Sequence, residues 1–465
     1  MGYAETMARK AEIMLHATGL DYGKFSRGAP GFDYEAMMAE VGYAEDEVRR
    51  IQSSAGVGNT PLLELRRVTE AVRRVSPPGK GARIFVKDEA ANPSGSFKDR
   101  RASISVYHAR RTGYRGVIVA TSGNYGAAVA SQAAVYGLRC IVVQEVFDSL
   151  GRGQPEILEK GRKCEAFGAE VIQTTVGPEL FYVLLSLLEE TGYFNASLYT
   201  PFAVAGIETL GMEIAEQTRR LCGRDPDVVA VTHAGGGNVT GTARGLRRAG
   251  CAAEVVAVSV DLSGLHMASD RDFNRKSFTT GHTGFSMPFS SWPDRVDVPR
   301  NAARPLRYMD RFVTVTQGEV FFATEALAQL EGLERGPAGN TSLAAAMALA
   351  RAMDRDRILV VSETEYTGAG KHPTAQLAFA EQMGVTVESG DPRTEVPGRR
   401  VVIPAEISHV NVREVDLDRL RASYVRRAAD EAGVPLGGSQ IEFLAEETRA
   451  TPARVRAWLE GEPAS

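Results

Sequence analysis

The chain lacks the marks of several protein classes. Its four cysteines, Cys140, Cys164, Cys222 and Cys251, are scattered. They form no C-x-x-C pair and have no histidine at ligand spacing. That argues against a zinc site or a disulfide frame and fits reduced thiols in the cytoplasm. No apolar run approaches the ~20 residues needed to span a bilayer. The N-terminal stretch MGYAETMARKAEIML carries Glu5 and Glu12. It has neither the apolar core nor the cleavage site of a secretory signal. Gly2 and Thr6 fit a myristoylation pattern, but no other eukaryotic signal accompanies them. Neither sign of charge dominates: Lys+Arg 54 against Asp+Glu 58 gives a formal charge of -4. That balance points away from a nucleic-acid coat and from a membrane-surface protein. Repeats of fixed period and low-complexity tracts are absent too.

What remains is an ordinary soluble composition, 43% hydrophobic and 24% charged. At 465 residues, two or more domains are expected. Residues 1 to about 55 read as helices with a polar interruption. Beyond them, short β-rich runs alternate with Ala-rich helical stretches. ARIFVK, GVIVA, LRCIVVQE, AEVIQTTV, VVAVT, EVVAVSV and RILVVSETE are the strand-like runs. They are continuously apolar rather than alternating, as strands buried on both faces of a parallel sheet are. The expected class is therefore α/β. A loop-rich segment from His266 to Pro305 interrupts the pattern, and long insertions of this kind often cover a site. After about Pro392 the alternation fades into what reads as a small helical appendage.

Each of three glycine-bearing loops follows a strand-like run. NPSGSFKDR holds Lys98, TSGNYG runs from Thr121 to Gly126, and HAGGGNVTG from His233 to Gly241. Successive glycines ahead of a helix start make an anion cradle suited to a phosphate. Neither G-x-G-x-x-G nor G-x-x-x-x-G-K-[ST] is the pattern there, so a nucleotide pyrophosphate is not indicated. TSGNYG offers hydroxyls, an amide and backbone N–H groups that can hold a carboxylate, although simple capping by Ser122 or Asn124 explains it equally. A lysine beside a phosphate cradle and a carboxylate loop suggests an imine with a phosphorylated aldehyde, pyridoxal phosphate.

The three motifs, in this order and spacing, resemble those of the fold-type II pyridoxal-phosphate enzymes, the tryptophan-synthase-β-like family. The resemblance implies two three-layer αβα domains with mainly parallel sheets, plus helical extensions at both ends. Residues 1–58 would be the N-terminal extension. Residues 59–98 and 206–390 would form the larger cofactor-binding domain, 99–205 a smaller mobile domain, and 391–465 the C-terminal appendage. Lys98 is then the imine lysine and Asn124 the partner of the cofactor's ring hydroxyl. Thr121, Ser122 and Gly123 hold the substrate carboxylate, with Asn124 beside them. Gly235, Gly236, Gly237, Asn238 and Thr240 hold the phosphate. Ser362, with Thr364 next, faces the pyridine nitrogen, because S-E-T-E-Y resembles the S-G-E-R-Y of the sulfhydrylases. A neutral hydroxyl there leaves the ring nitrogen less protonated than an aspartate would.

Longer stretches narrow the resemblance to the β subunits of 2-amino-4-ketopentanoate thiolases. FDYEAMMAEVGY, GQPEILEKGRKCEAFGAEV, GPELFYVLLSLLEETGYFNASLYTPF and VSETEYTGAGKHPTAQLAFAEQM carry it. It implies a reaction of 2-amino-4-oxopentanoate with coenzyme A, giving acetyl-CoA and alanine (the D form in that family), in ornithine degradation. It also implies a separate small α subunit and a homo-oligomer of the β chain. The runner-up is a threonine-synthase-like or cysteate- or cysteine-synthase-like lyase, and a non-catalytic cofactor-binding subunit is the reading from another class. No coenzyme A signature is present. Arg100/Arg101, Arg110/Arg111 and Arg247/Arg248 could meet its phosphates, but read more simply as solvated helix faces. His282 could assist proton transfer, and Cys140 or Cys164 could carry an acyl group. A loop histidine and small buried thiols explain them as well.

Overall fold

The computed structural model describes residues 2–27, 32–121, 123–147, 151, 153, 155–175, 179–196, 200–261, 304–366, 368 and 372–461. Among these, the strands are β1 (Leu62–Glu64), β2 (Arg83–Asp88), β3 (Gly116–Thr121), β4 (Arg139–Phe147), β5 (Glu170–Thr175), β6 (Phe194–Asn195) and β7 (Val228–Thr232). They continue as β8 (Glu254–Val260), β9 (Arg311–Val315), β10 (Ile358–Glu363), β11 (Thr386–Gly390), β12 (Arg400–Pro404) and β13 (Arg413–Glu414). One sheet runs β1-β2-β10-β7-β8-β9-β13, a second β5-β4-β3-β6, and β11 pairs with β12 alone. In the first sheet the five central strands are parallel, with antiparallel β1 and β13 at the edges. The four-stranded sheet is parallel throughout.

The continuous apolar runs now have their cause. In β7, Val228 and Ala230 enter one core, while Val229 and Val231 enter the core on the other face. β10 divides the same way, Leu359 and Val361 against Ile358 and Val360. In β4, Cys140 and Val142 face one side, Ile141 and Val143 the other. Cores lie on both faces of the two larger sheets, so most side chains of these strands are apolar, and a polar one buried there is costly unless something bonds to it. Burying each Val, Leu or Ile contributes roughly 1.5–3 kcal/mol against leaving it in water.

The α/β class and the parallel sheets are as expected, and so are the helical ends. Helices Tyr3–Ala8, Lys10–Thr18, Tyr34–Ala39 and Glu45–Ser54 precede the first strand. The last begins with Glu45, Asp46 and Glu47, which suit the positive end of its dipole. At the other end, helices Leu417–Ala432, Gly438–Thr448 and Pro452–Leu459 bury Trp458 and Leu444 in their own small core. The tail is not purely helical, however. Before Leu417 it contributes β12 and β13, and β13 completes the edge of the large sheet. No helix among the described residues is long and apolar enough to cross a membrane.

Candidate active site

Parallel strands present their C-terminal ends on one edge, where ligands of α/β folds collect. β2, β10 and β7 lie side by side, and Ser362 on β10 is level with Lys87 on one neighbour and Val231 on the other. The loop after β2 carries Lys98, and the loop after β7 carries the glycines. Lys98 is the first residue of helix Lys98–Arg111 and is half-buried, its Nζ 4.1 Å from the centre of the Phe97 ring. The backbone ahead of it is held from several sides. Asp99 accepts from Ser94 N at 2.7 Å, Phe97 N donates to the Thr364 carbonyl at 3.0 Å, and Tyr366 N donates to the Gly95 carbonyl at 2.7 Å. The chain just past Ser362 therefore runs hydrogen-bonded beside the lysine loop. Asp99 is buried, and burial pushes its carboxyl up to about 7, against the pull of the Ser94 hydrogen bonds and of Lys163.

Behind the loop lies a buried ionic network. Arg100 is fully buried and grips Glu89 through Nε and Nη2 at 2.6 and 2.8 Å, and Glu213 through Nη1 and Nη2 at 2.9 and 2.7 Å. Lys87 Nζ adds 2.7 Å to Glu213, 2.5 Å to the Thr60 carbonyl and 3.0 Å to Gln217. Burial pushes the Glu213 carboxyl up, but Arg100 and Lys87 hold it far below the usual range. Two cations against two carboxylates leave this pocket nearly neutral, which is the condition for burying charge at all.

The glycine loop follows β7. Gly236 has φ +80, a left-handed conformation that favours glycine, and helix Gly237–Arg248 begins right after it. Asn238 Nδ2 turns back to the Thr232 carbonyl at 3.4 Å. Thr240 Oγ1 is buried with no hydrogen-bond partner among the described residues. The same holds for Ser362 Oγ at the end of β10, whose residue is wholly buried. Nearby, Ser342 Oγ reaches both Thr232 Oγ1, at 2.8 Å, and the Ser362 carbonyl, at 3.4 Å. Two unsatisfied buried hydroxyls, one at the end of β10 and one in the first turn of the helix that follows the neighbouring β7, fit a ligand with a hydrogen-bonding ring at one end and an anion at the other.

The carboxylate loop comes from the other sheet. Thr121 ends β3, and its Oγ1 accepts from Gly123 N at 2.9 Å and Gly126 N at 3.2 Å, so its hydroxyl shapes the loop. Ser122 lies outside the described residues. A methyl group on Gly123 would lie 2.5 Å from Lys160 Cδ and 2.8 Å from its Nζ, so a larger residue there would push aside that side chain, which pairs with Glu156 at 2.7 Å. Asn124 opens helix Asn124–Tyr136 and donates to Oε2 of Glu365, two residues past β10. Lys163 Nζ crosses to the Ser94 carbonyl at 2.5 Å. The chain at the end of β10 thus bonds to the lysine loop and to Asn124 of TSGNYG, and Ser342 ties it to Thr232, where the glycine loop begins.

Some expectations change. Arg100 and Arg101 do not lie on a solvated helix face. Both are buried, at 0% and 2% exposure, because helix Lys98–Arg111 packs against helix Pro201–Cys222. Arg110, Arg111, Arg247 and Arg248 are exposed, as expected. Cys140 and Cys164 sit in the core, where burial pushes both thiols up, Cys164 to about 12, so neither offers a thiolate. His282 and the segment around it lie outside the described residues. Sequence reasoning missed Glu365 and the Lys87–Arg100 network. A strand ending in S-E-T-E, and a second basic residue on β2, were the available signals.

Comparison with known proteins places these features in context. The family described as "Pyridoxal-phosphate dependent enzyme" matches residues 53–363. A 2-amino-4-ketopentanoate thiolase beta subunit from an unknown prokaryotic organism is 65% identical over 449 residues, 96% of this chain and 95% of the relative. Its counterpart from Acetoanaerobium sticklandii is 61% identical over 460 residues, 99% of this chain and 98% of the relative. Threonine synthase of Halalkalibacterium halodurans is 32% identical over 194 residues, 41% of this chain and 49% of that protein. Among solved structures, a hydrogen sulfide-producing enzyme from Fusobacterium nucleatum superposes with TM-score 0.53 at 22% identity, covering 70% of this chain and 98% of its own. Maize serine racemase gives 0.53 at 19%, covering 73% and 98%. These two share the fold.

Proposed function

The chain belongs to the pyridoxal-phosphate dependent enzymes, and on that premise we propose that it is the catalytic β subunit of a 2-amino-4-ketopentanoate thiolase. With coenzyme A it would cleave 2-amino-4-oxopentanoate to acetyl-CoA and alanine, the D form by resemblance. The observation that carries this reading is identity of 65% and 61% to two beta subunits of that name, over 96% and 99% of the chain. The threonine synthase relative matches 41% of the chain, which makes a lyase of the same fold the weaker reading.

The residues divide the work as follows. The coenzyme A sulfur bonds to the side-chain carbonyl carbon, the neighbouring carbon–carbon bond breaks, and its electron pair stays on what becomes the alanine methyl, which takes up a proton. Pyridoxal phosphate, which Lys98 would hold before substrate binds, would supply the conjugated electron sink for that pair once joined to the substrate amine, leaving the Lys98 amine free. The Lys98 amine holds and moves the proton at the carbon bearing the amino group. Thr121, Ser122 and Gly123 receive the substrate carboxylate on the backbone of their loop. Asn124 positions the ring hydroxyl, Ser362 meets the ring nitrogen, and Gly235, Gly236, Gly237, Asn238 and Thr240 receive the phosphate. Residues 99–205, built on the four-stranded sheet, would close over the substrate bound on 59–98 and 206–390. A small α subunit and a second β copy complete the assembly in this reading.

The test is a coenzyme A-dependent cleavage assay on the purified chain, with and without the small subunit. Acetyl-CoA and alanine formed in equal amounts support the proposal. No acetyl-CoA with the partner present, together with turnover of O-phosphohomoserine or O-phosphoserine, would replace it by the lyase reading.

A further inference from the structure

We propose that Arg101 and Arg304 bind the phosphate of the cofactor, so that the cradle after β7 is built on two guanidinium groups as well as on backbone N–H groups. The inference rests on the cofactor reading above. It starts from position. A methyl group placed on Gly237 would lie 2.1 Å from Nη2 of Arg101 and 3.3 Å from Nη2 of Arg304. Arg304 Nη2 also reaches the Gly235 carbonyl at 3.5 Å. Two guanidinium groups from distant parts of the chain therefore converge on the first residue of helix Gly237–Arg248, where the phosphate oxygens are to sit.

Both are interior groups, with Arg101 2% and Arg304 1% exposed. Each has an aromatic ring to fix its plane. Arg101 Cζ lies 5.4 Å from the centre of the Phe97 ring, and Arg304 Cζ lies 5.2 Å from that of Tyr34. A planar fork held in this way is pre-organised for oxygens of a phosphate, which is near dianionic at neutral pH. Arg100, the neighbour in sequence, is already committed to Glu89 and Glu213 and does not share the role. An independent observation points to a ligand at the same place. Thr240 Oγ1, in the first turn of the helix, is 1% exposed as a residue and lacks a partner among the described residues. A buried hydroxyl, the helix N-terminus and two guanidinium groups make one anion site.

The experiment titrates the full-length apo chain with pyridoxal phosphate and, separately, with pyridoxal, which lacks the phosphate, following the visible absorbance of each. Arg101→Met and Arg304→Met keep the length and apolar stem of the side chain. Each is expected to weaken pyridoxal phosphate binding by about ten-fold or more, the scale of a lost charged hydrogen bond. Pyridoxal binding should stay within about two-fold. Equal losses for both ligands would mean that the arginines only hold the loop in shape, and unchanged binding of pyridoxal phosphate would mean that they do not meet it; either result overturns the inference. Should a Met variant fail to fold, Arg101→Lys and Arg304→Lys are read the same way. A selective loss for the phosphorylated ligand supports the inference, and an equal loss or none overturns it. A wild-type chain that takes up neither ligand would instead remove the cofactor reading itself.

Discussion

The side-chain amide of Asn124 donates to a carboxylate oxygen of Glu365. Asn124 follows β3 in the four-stranded sheet, and Glu365 follows β10 in the seven-stranded one. One charge-assisted hydrogen bond thus crosses the site between the two sheets, from TSGNYG to an acceptor that no glycine motif marks. Such a bond contributes roughly 1.5–3 kcal/mol. Glu365→Gln keeps the shape but weakens the acceptor. It should raise KM for the amino acid substrate by about ten-fold, with a small change in thermal unfolding. Unchanged KM in steady-state kinetics would show that the bond has no part in holding the substrate loop.

Lys98→Ala removes the only amine of the lysine loop. Activity should fall by at least about 10²–10⁴-fold, the usual worth of a positioned acid–base group. The visible band of the lysine-bound cofactor should vanish with it. A band that persists in the variant would place the cofactor on another amine.

For Ser362→Ala the signs are opposite in the two states. Without cofactor, the wild-type hydroxyl is buried and unsatisfied among the described residues, so its removal should leave unfolding unchanged or raise stability by up to about 1 kcal/mol. With cofactor, the lost bond should weaken binding by roughly 2–10-fold. Calorimetry of both forms checks the pair, and weaker binding without the stability gain would point to loop disruption instead.

Asp99 gives a pH dependence. Its folded value, about 7, lies above the ordinary 3.8. The native state therefore holds a proton that the unfolded chain releases. The stability this contributes is fully present below about pH 4 and is lost as pH rises through about 7. Asp99→Asn is neutral throughout, so its stability relative to wild type should be greater at pH 8 than at pH 5. Urea unfolding at the two pH values measures this, and a constant difference would argue against a protonated Asp99.

The strands were legible where both faces are buried. VVAVT, EVVAVSV and ILVVS each hold four consecutive apolar residues because each side meets a core. β9, RFVTV, escaped notice because Arg311 and Thr314 leave it only two consecutive apolar residues, although Val313 and Val315 are wholly buried. β1 and β13 have three and two residues, too few for any period to show. The loops were legible by their order along the chain. Arg101 and Glu365 were not, since a charged residue on a helix or after a strand reads as solvated. Their burial is set by helix Pro201–Cys222 and by Asn124, which lie far away in sequence.

The backbone bonds Phe97–Thr364 and Tyr366–Gly95 make the lysine loop and the end of β10 one piece. Lys98 and Ser362, the proposed contacts at the two ends of the cofactor's ring, are therefore mounted on a common frame. On the proposal that residues 99–205 move as a smaller domain, rotation of the four-stranded sheet would leave that spacing untouched, and the jaw that carries Asn124 and Gly123 would change its distance from the ring. On that proposal the enzyme would grip and release successive substrates while its cofactor stays aligned, and turnover would not disturb the most demanding geometry in the site.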